Sequence, residues 1–309
     1  MFSRIVRAVR YRAIDLVFRR LFPVWQSLGF HVTRNHYYEP IPDTRTLRDE
    51  LWQRRSDLVG VDMREAGQLE LLSMFASRYK DEYDRFPLTK DQTSKPYEYF
   101  VDNGVFAAVD GEVLYCMIRH FRPRRIFEIG SGYSTRLSAQ AVLRNRTEDE
   151  SYECELVAIE PYPREVLKAG FPGLTRLQIC RAQDVPVQEF MKLEANDILF
   201  IDSSHVLSIG SDVQYEFLEI IPRLQPGVLV HLHDIFFPLE YPRWRVLGFY
   251  RFWTEQYLLQ AFLAFNSSFE VLWAGHYMLV NHPDKLRAVF GSFDKTEVWT
   301  ASCWMRRKL

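Results

Sequence analysis

From residue 125 onward, short apolar runs alternate with longer segments of helical spacing. RIFEI (125–129), LVAIE (156–160), RLQIC (176–180), DILFID (197–202) and VLVHLHD (228–234) are dense in Ile, Leu, Val and Phe. Runs of this kind belong to strands covered on both faces, and the helical spacers between them make the sheet parallel. The spacer after DILFID is well marked. Ser211 and Gln214 form a capping box, and Val213, Phe217, Ile220 and Leu224 form an apolar stripe. Pro226 and Gly227 end that helix and open the next strand. FEVLWA and HYMLV, divided by a short turn at Gly275, read as a hairpin. The pattern predicts an α/β fold: a doubly wound, Rossmann-like, seven-stranded and mostly parallel sheet with an antiparallel C-terminal hairpin.

Upstream, Leu69, Leu72, Phe75 and Tyr79 predict a helix over 65–85, and another is expected from about Val113 to Phe121. The aromatic, proline-containing stretches 36–43 and 95–106 read as loops that cover a pocket. The expected division is a helical and extended N-terminal segment over 1–90 and a main domain over 91–309, with an insertion at about 236–265.

Composition narrows the class. Hydrophobic residues at 47 % and charged residues at 26 % fit a chain able to bury a sizeable core. A net charge of -1 gives no global attraction for nucleic acid, so no such partner is expected. Cys116, Cys154, Cys180 and Cys303 are widely spaced with no CxxC pair, which fits reduced thiols in a cytoplasmic setting. No run approaches the roughly 20 apolar residues of a bilayer span. The first 22 residues carry six arginines, no lysine and one acid, Asp15. Charges interrupt the apolar run too often for a signal peptide. On a helical wheel the arginines spread around the circumference, so the first reading is a helix packed on the body or on a homodimer partner. Weak peripheral contact with a membrane surface is the second.

Ligands of such sheets sit beyond the carboxyl ends of the strands. The first strand runs into EIGSGYST, Glu128 to Thr135. Gly130 and Gly132, flanking Ser131, let the backbone turn sharply and lie against a ligand, and Ser134 or Thr135 caps the next helix. Thr135 occupies the third glycine position of a dinucleotide fingerprint, which disfavours an NAD-dependent oxidoreductase. Glu160, at the second strand tip, can accept both hydroxyls of a ribose. After the third strand, Gln183 or Asp184 can accept from an adenine amino group. A glycine turn, an acid and a polar pair in that order outline adenosine recognition without a phosphate cradle.

The stretches EIGSGYSTRLSA, AIEPYPRE, DILFIDSSH with SDV, and LQPGVLVHLHDIFFPLEYP resemble class I S-adenosylmethionine-dependent methyltransferases. Within that class they resemble a bacterial branch of the family 24 methyltransferase domain, akin to small-molecule O-methyltransferases. The resemblance spans roughly residues 95–285. It implies S-adenosyl-L-methionine as cofactor, held by Glu128, Gly130, Ser131, Gly132, Ser134, Thr135, Glu160, Gln183, Asp184 and Asp202. It also places Asp202 beside both donor and acceptor. In divalent-metal enzymes of this class, an Asp ending strand four and an acidic pair after strand five hold Mg²⁺. Asp202 matches the first position, and His233-Asp234 lies at the pair with His in place of an acid. Asp202, His233 and Asp234 are therefore the expected metal ligands, and the imidazole shifts the preference from Mg²⁺ toward a transition metal.

Methyl transfer to a hydroxyl needs the acceptor oxygen in line with the methyl group and its proton removed. A metal lowers the hydroxyl pKa, and a histidine takes the proton directly. His205, three residues beyond Asp202, and His233 are the candidate bases, with Asp202 catalytic beside them. His231 shares a strand face with His233 and reads as structural. Residues 241–265 interleave Arg243, Arg245 and Arg251 with aromatics suited to a ring, a sugar or a carboxylate. The leading expectation is an O-methyltransferase acting on a hydroxyl of a small-molecule or glycan-type acceptor. A carboxylate O-methyltransferase, an NAD-dependent oxidoreductase and a non-catalytic donor-binding module are the alternatives.

Overall fold

The computed structural model describes residues 17–18, 20–36 and 38–308. The helix expected over the first residues falls largely outside them. The chain divides into two compact units, Met1–Leu51 and Trp52–Leu309. In the first, helix α1 (17–27, residue 19 apart) is followed by an extended return. Phe18 meets Trp25 edge-on at 5.3 Å, and Phe22 stacks on His31 at 4.9 Å, so one flank of α1 is closed by ring contacts within the unit. Further on, the Asp43 carboxylate caps a 3-10 turn, Thr44–Thr46, by accepting from the Arg45 backbone N–H.

In the second unit seven strands form one sheet: β1 (Arg125–Ile129), β2 (Glu155–Ile159), β3 (Arg176–Gln178), β4 (Ile198–Ile201), β5 (Leu229–Leu232), β6 (Phe269–Ala274) and β7 (Cys303–Arg307). Their order is β3-β2-β1-β4-β5-β7-β6. The first five run parallel and β7 runs antiparallel to both neighbours. Strand order reverses between β1 and β4, which opens a crevice at their carboxyl ends. Helices α2 (Glu65–Tyr83), α3 (Asp110–Phe121) and α4 (Tyr133–Glu148) bring Leu72, Phe75, Val113 and Leu137 into a core with Ile126, Leu156 and Phe200. A single turn, α5 (Glu165–Lys168), follows β2. The other face is closed by α6 (Val187–Phe190), α7 (Asp212–Tyr215) and α8 (Glu255–Leu263), where Phe190, Val213 and Leu259 share a core with Phe127, Leu199 and Val230. Two faces covered this way explain the unbroken apolar runs, each buried Leu, Ile or Phe contributing about 1.5–3 kcal/mol.

The structure departs from the sequence reading at the C-terminal hairpin. HYMLV lies in helix α9 (Gly275–Asn281), followed by α10 (Pro283–Val289), and the antiparallel partner of β6 is β7. Gly275 is not a hairpin turn. A Cβ there would lie 2.0 Å from Thr300 Oγ1, so the glycine serves close packing instead. Nor is 95–106 a free lid, because Tyr99, Phe100, Val101 and Phe106 are buried, and Tyr99 Oη donates to the Phe106 carbonyl at 2.9 Å. The cap on α7 forms as read, with Ser211 Oγ accepting from the Gln214 N–H at 3.2 Å. After one turn, however, the helix widens into a π turn, Glu216–Ile220, and a second π turn spans Trp244–Gly248. Such turns re-aim side chains and concentrate at functional sites. Here they carry Glu216 and Arg245.

Candidate active site

The tips of β1, β2 and β4 meet at Gly130. Gly130 N–H donates to the Ile159 carbonyl at 3.0 Å, and Asp202 N–H donates to the Ile129 carbonyl at 2.8 Å. A Cβ on Gly130 would lie 1.9 Å from the Asp202 carbonyl oxygen, and its φ is +79°. Gly132, in contrast, has nothing within 4 Å of where its Cβ would be, so the loop leaves an open cradle there. Ser131 N–H donates to Glu160 Oε2 at 3.2 Å, and Gly132 N–H donates to Thr135 Oγ1 at 2.9 Å. Ser134 turns inward and donates to Glu128 Oε1 at 2.5 Å.

Glu128 is fully buried under this loop, and burial pushes its carboxyl up to about 8 against the pull of Ser134 and Thr135. An unfolded glutamate ionises at the ordinary value of 4.5. Between those pH values the folded chain keeps a proton that the unfolded chain has lost. The contribution is fully present below about 4.5 and is lost as pH rises through 8. Glu128→Gln should therefore flatten the decline of the denaturation midpoint between about pH 5 and pH 8, on the order of 1–4 kcal/mol across the window. Parallel wild-type and variant curves would contradict it.

The polar pair after β3 splits in the structure. Gln183 Nε2 donates to the Gly210 carbonyl at 3.1 Å, leaving a buried Oε1 without a partner. Asp184 is engaged by Arg181 through two hydrogen bonds of 2.8 Å.

Across the crevice, the β4/β5 register sets Ile201 opposite Leu232, and His233 N–H donates to the Ile201 carbonyl at 3.0 Å. Asp202 and His233 are thus neighbours at adjacent strand tips. The chain beyond each tip then turns through left-handed backbone, at His205 (φ +62°) and Asp234 (φ +57°). For residues with a Cβ this costs about 1–3 kcal/mol each and is held only by surrounding contacts. His205 supplies several of those contacts. Its Nε2 lies 3.3 Å from Asp202 Oδ1 and 3.5 Å from Asp234 Oδ2, while its Nδ1 lies 2.8 Å from Glu255 Oε2. Its carbonyl accepts from Thr254 and Glu255 N–H groups at the start of α8, and Trp253 packs on its ring at 4.5 Å.

Hydrogen-bond accounting constrains His205. Two carboxylate oxygens can face Nε2 only if that nitrogen carries a proton. Burial disfavours the imidazolium, but hydrogen bonds to Asp202 and Glu255 outweigh it and raise the His205 pKa well above its ordinary value. Burial would likewise raise Asp202, yet the neighbouring imidazoles, with the hydrogen bond from His205, hold its carboxyl below the usual range. Below His205, Glu255 and Glu216 are both fully buried and both raised by burial, and each keeps one oxygen without a partner. Ser203 Oγ donates to the other oxygen of Glu216 at 3.1 Å.

His233 differs. Its ring packs on Phe106 at 5.0 Å, it makes no hydrogen bond through either ring nitrogen among the described residues, and its Nδ1 is buried. His231 stacks on Phe200 at 3.8 Å and meets Ser302 Oγ through Nε2 at 3.1 Å, and burial pushes its pKa well down. On the outer side Arg245 pairs with Asp234 Oδ1 at 2.7 Å, its guanidinium lying 4.5 Å from the Trp253 ring centre and 4.8 Å from that of Trp244.

A family profile described as a methyltransferase domain matches residues 127–235, from β1 through the Asp202, His205, His233 and Asp234 cluster. An uncharacterized protein of Archaeoglobus fulgidus is 32 % identical over 205 residues, covering 64 % of this chain and 90 % of that protein. The chain belongs to the methyltransferase-domain family. A crystal structure from Thermobifida fusca YX, described as a candidate methyltransferase, shares 10 % identity at a TM-score of 0.39, over 84 % of this chain and 97 % of that one.

Membership implies S-adenosylmethionine, and the methyltransferase's own residues fit it. Gly132 leaves open space, and Ser131 Oγ, Glu128 Oε2 and Gln183 Oε1 are buried polar atoms without partners. A metal is a separate matter. Among the described residues, Asp202, His205 and Asp234 offer three ligand atoms within 4.8 Å of one another. His233 is not in that group, and His205 takes the place the sequence reading gave it. Two carboxylates and one imidazole suit Mn²⁺, Fe²⁺ or Zn²⁺ better than Mg²⁺.

Glu255, Glu216 and Trp253 were not among the expected site residues, and Arg245 was expected only as an acceptor contact. The signal for Glu255 was faint: an acid opening an otherwise apolar helix, fifty residues from the histidine it holds.

Proposed function

We propose that this methyltransferase moves a methyl group from S-adenosylmethionine to a hydroxyl oxygen of a small-molecule or glycan-type acceptor, with His233 receiving the hydroxyl proton. The observation that carries the reading is the contrast between two histidines at one site. His205 Nε2 already shares its proton with Asp202 and Asp234, whereas the His233 ring makes no hydrogen bond among the described residues and lies at the next strand tip. When bound, S-adenosylmethionine would supply the methyl group from an activated sulfonium, with the neutral thioether as leaving group. Glu160 and Gln183 supply acceptors for the ribose and the adenine amino group, and the glycine loop lets the backbone lie close to them. Asp202, held ionised at the adjacent strand tip, would stabilise the histidine once it is charged. Trp253 and Trp244, both packed against the Arg245 guanidinium, would offer aromatic surface to the acceptor.

A hydroxyl acceptor is favoured over a carboxylate because Arg245 is already paired with Asp234, and three carboxyl groups, Asp202, Asp234 and Glu255, gather around His205. Should a divalent ion bind, Asp202, His205 and Asp234 would hold it and it would lower the hydroxyl pKa.

The test is mass-spectrometric detection of methylated product from isotopically labelled donor, over a panel of hydroxylated small molecules and glycans, with and without EDTA. A base-stable methyl ether is expected. A product cleaved by mild base would identify a methyl ester and sink the hydroxyl reading, and NAD binding without donor binding would sink methyl transfer altogether. Loss of activity in EDTA, restored by Mn²⁺ or Zn²⁺, would assign the metal. Indifference to EDTA leaves proton transfer to histidine alone.

A further inference from the structure

The first unit carries a surface that methyl transfer does not use. Along α1, Val17, Leu21 and Val24, then Leu28 in the turn beyond, recur at steps of four, three and four residues, which places them on one face. They are 51 %, 39 %, 50 % and 65 % exposed. The adjacent flank of α1 is occupied, with Phe18 on Trp25, Phe22 on His31 and the Arg34 guanidinium 5.6 Å from the Phe18 ring centre. Phe30 and Val32, also exposed, carry the apolar surface into the returning segment. Single exposed apolar residues are ordinary, but a contiguous stripe marks an interaction site.

Charge selects what covers it. Residues 1–38 contain seven arginines and no lysine, with Asp15 the sole acid, in a chain whose net charge is -1. A second copy laid on the stripe would set two such arginine-rich segments side by side, which like-charge repulsion opposes. An anionic lipid surface satisfies both features: the acyl boundary takes the stripe and the headgroup phosphates take the guanidinium groups. Among the described residues no helix is long and apolar enough to cross a membrane, so the contact is interfacial. We infer that the first unit docks this methyltransferase onto anionic membrane surfaces, with α1 lying in the interface plane.

The experiment is co-sedimentation of the full chain with phosphatidylcholine vesicles and with vesicles in which about a third of the lipid is phosphatidylglycerol. Binding to the anionic vesicles is expected to exceed binding to neutral ones at least tenfold. It should fall in about 1 M salt, where the screening length drops from roughly 8 Å to roughly 3 Å. The triple variant Leu21→Asp, Val24→Asp, Leu28→Asp should lose binding at least tenfold while its melting temperature and light-scattering mass stay unchanged. Should that variant misfold, Val24→Asp alone and the salt series decide the matter. Equal binding to both vesicle types, or a folded variant that binds like the parent, overturns the inference. A dimer dispersed by the same substitutions, without vesicle binding, would assign the stripe to a second copy and also overturn it.

Discussion

His233→Ala is expected to slow methyl transfer by about 10²–10⁴-fold while changing donor affinity by no more than about twofold. The asymmetry follows from position. His233 sits at the β5 tip beside Asp202, and its ring touches neither the Gly130 loop nor Glu160 through any hydrogen bond among the described residues. Losing it removes the proton acceptor but leaves the donor's contacts. The ring does pack on Phe106, so a modest loss of stability accompanies the change, and donor titration by calorimetry separates a dead fold from a dead site. His231→Ala serves as the contrast. That ring stacks on Phe200 and packs at a tilt against Trp304 in the core, so its loss should lower the melting temperature more and the rate of the surviving folded protein less. A His233→Ala protein that keeps its rate within about threefold would remove His233 from the chemistry and return the role to the Asp202, His205 and Asp234 group.

The second large effect lies on the donor side. Gly130→Ala must place a methyl 1.9 Å from the Asp202 carbonyl oxygen at a φ of +79°, where both the contact and the backbone conformation oppose it. The left-handed conformation costs about 1–2 kcal/mol and the overpacking about 1–3 kcal/mol. Relief requires β1 and β4 to separate at their tips, which moves Asp202 away from the glycine loop. Donor affinity should therefore fall more than a hundredfold along with a lower melting temperature. Gly132→Ala has open space and an extended φ of 178°, so the fold should tolerate it and any loss should be confined to donor affinity. If Gly130→Ala bound donor as well as Gly132→Ala, the crevice at the strand tips would not be the donor site.

The sheet was legible because strands buried on two faces have no choice of pattern: β1 to β5 each read as an apolar run. The C-terminal edge was not. HYMLV has the composition of a strand, and Gly275 before it looked like a turn, but the edge of β6 was taken by CWMRR, a run too short and too basic to announce itself. The clustering of polar groups was legible where they are neighbours in the chain, at Asp202 with His205 and at His233 with Asp234. Its depth was hidden. Glu255 meets His205, and Arg245 meets Asp234, only through the return of the aromatic segment over the strand tips. No local spacing encodes that return, and the left-handed backbone at His205 and Asp234 that makes it work has no signature in residue type.

The placement of β7 bears on how the site comes into being. Strand β5 carries His233 and Asp234 at its tip, and its outer edge is paired by residues that come some seventy positions later, Leu232 with Cys303 and Leu229 with Arg306. Until that last strand inserts, the backbone groups along the outer edge of β5 are open to any other extended segment. Closing so distant a pairing is slow relative to forming the local β–α units. Proteolysis or truncation upstream of residue 303 would therefore do more than trim an end: it would leave a half-built sheet with His233 beside an adhesive edge. Clumping during synthesis, rather than a soluble but inactive enzyme, is the form that failure would take.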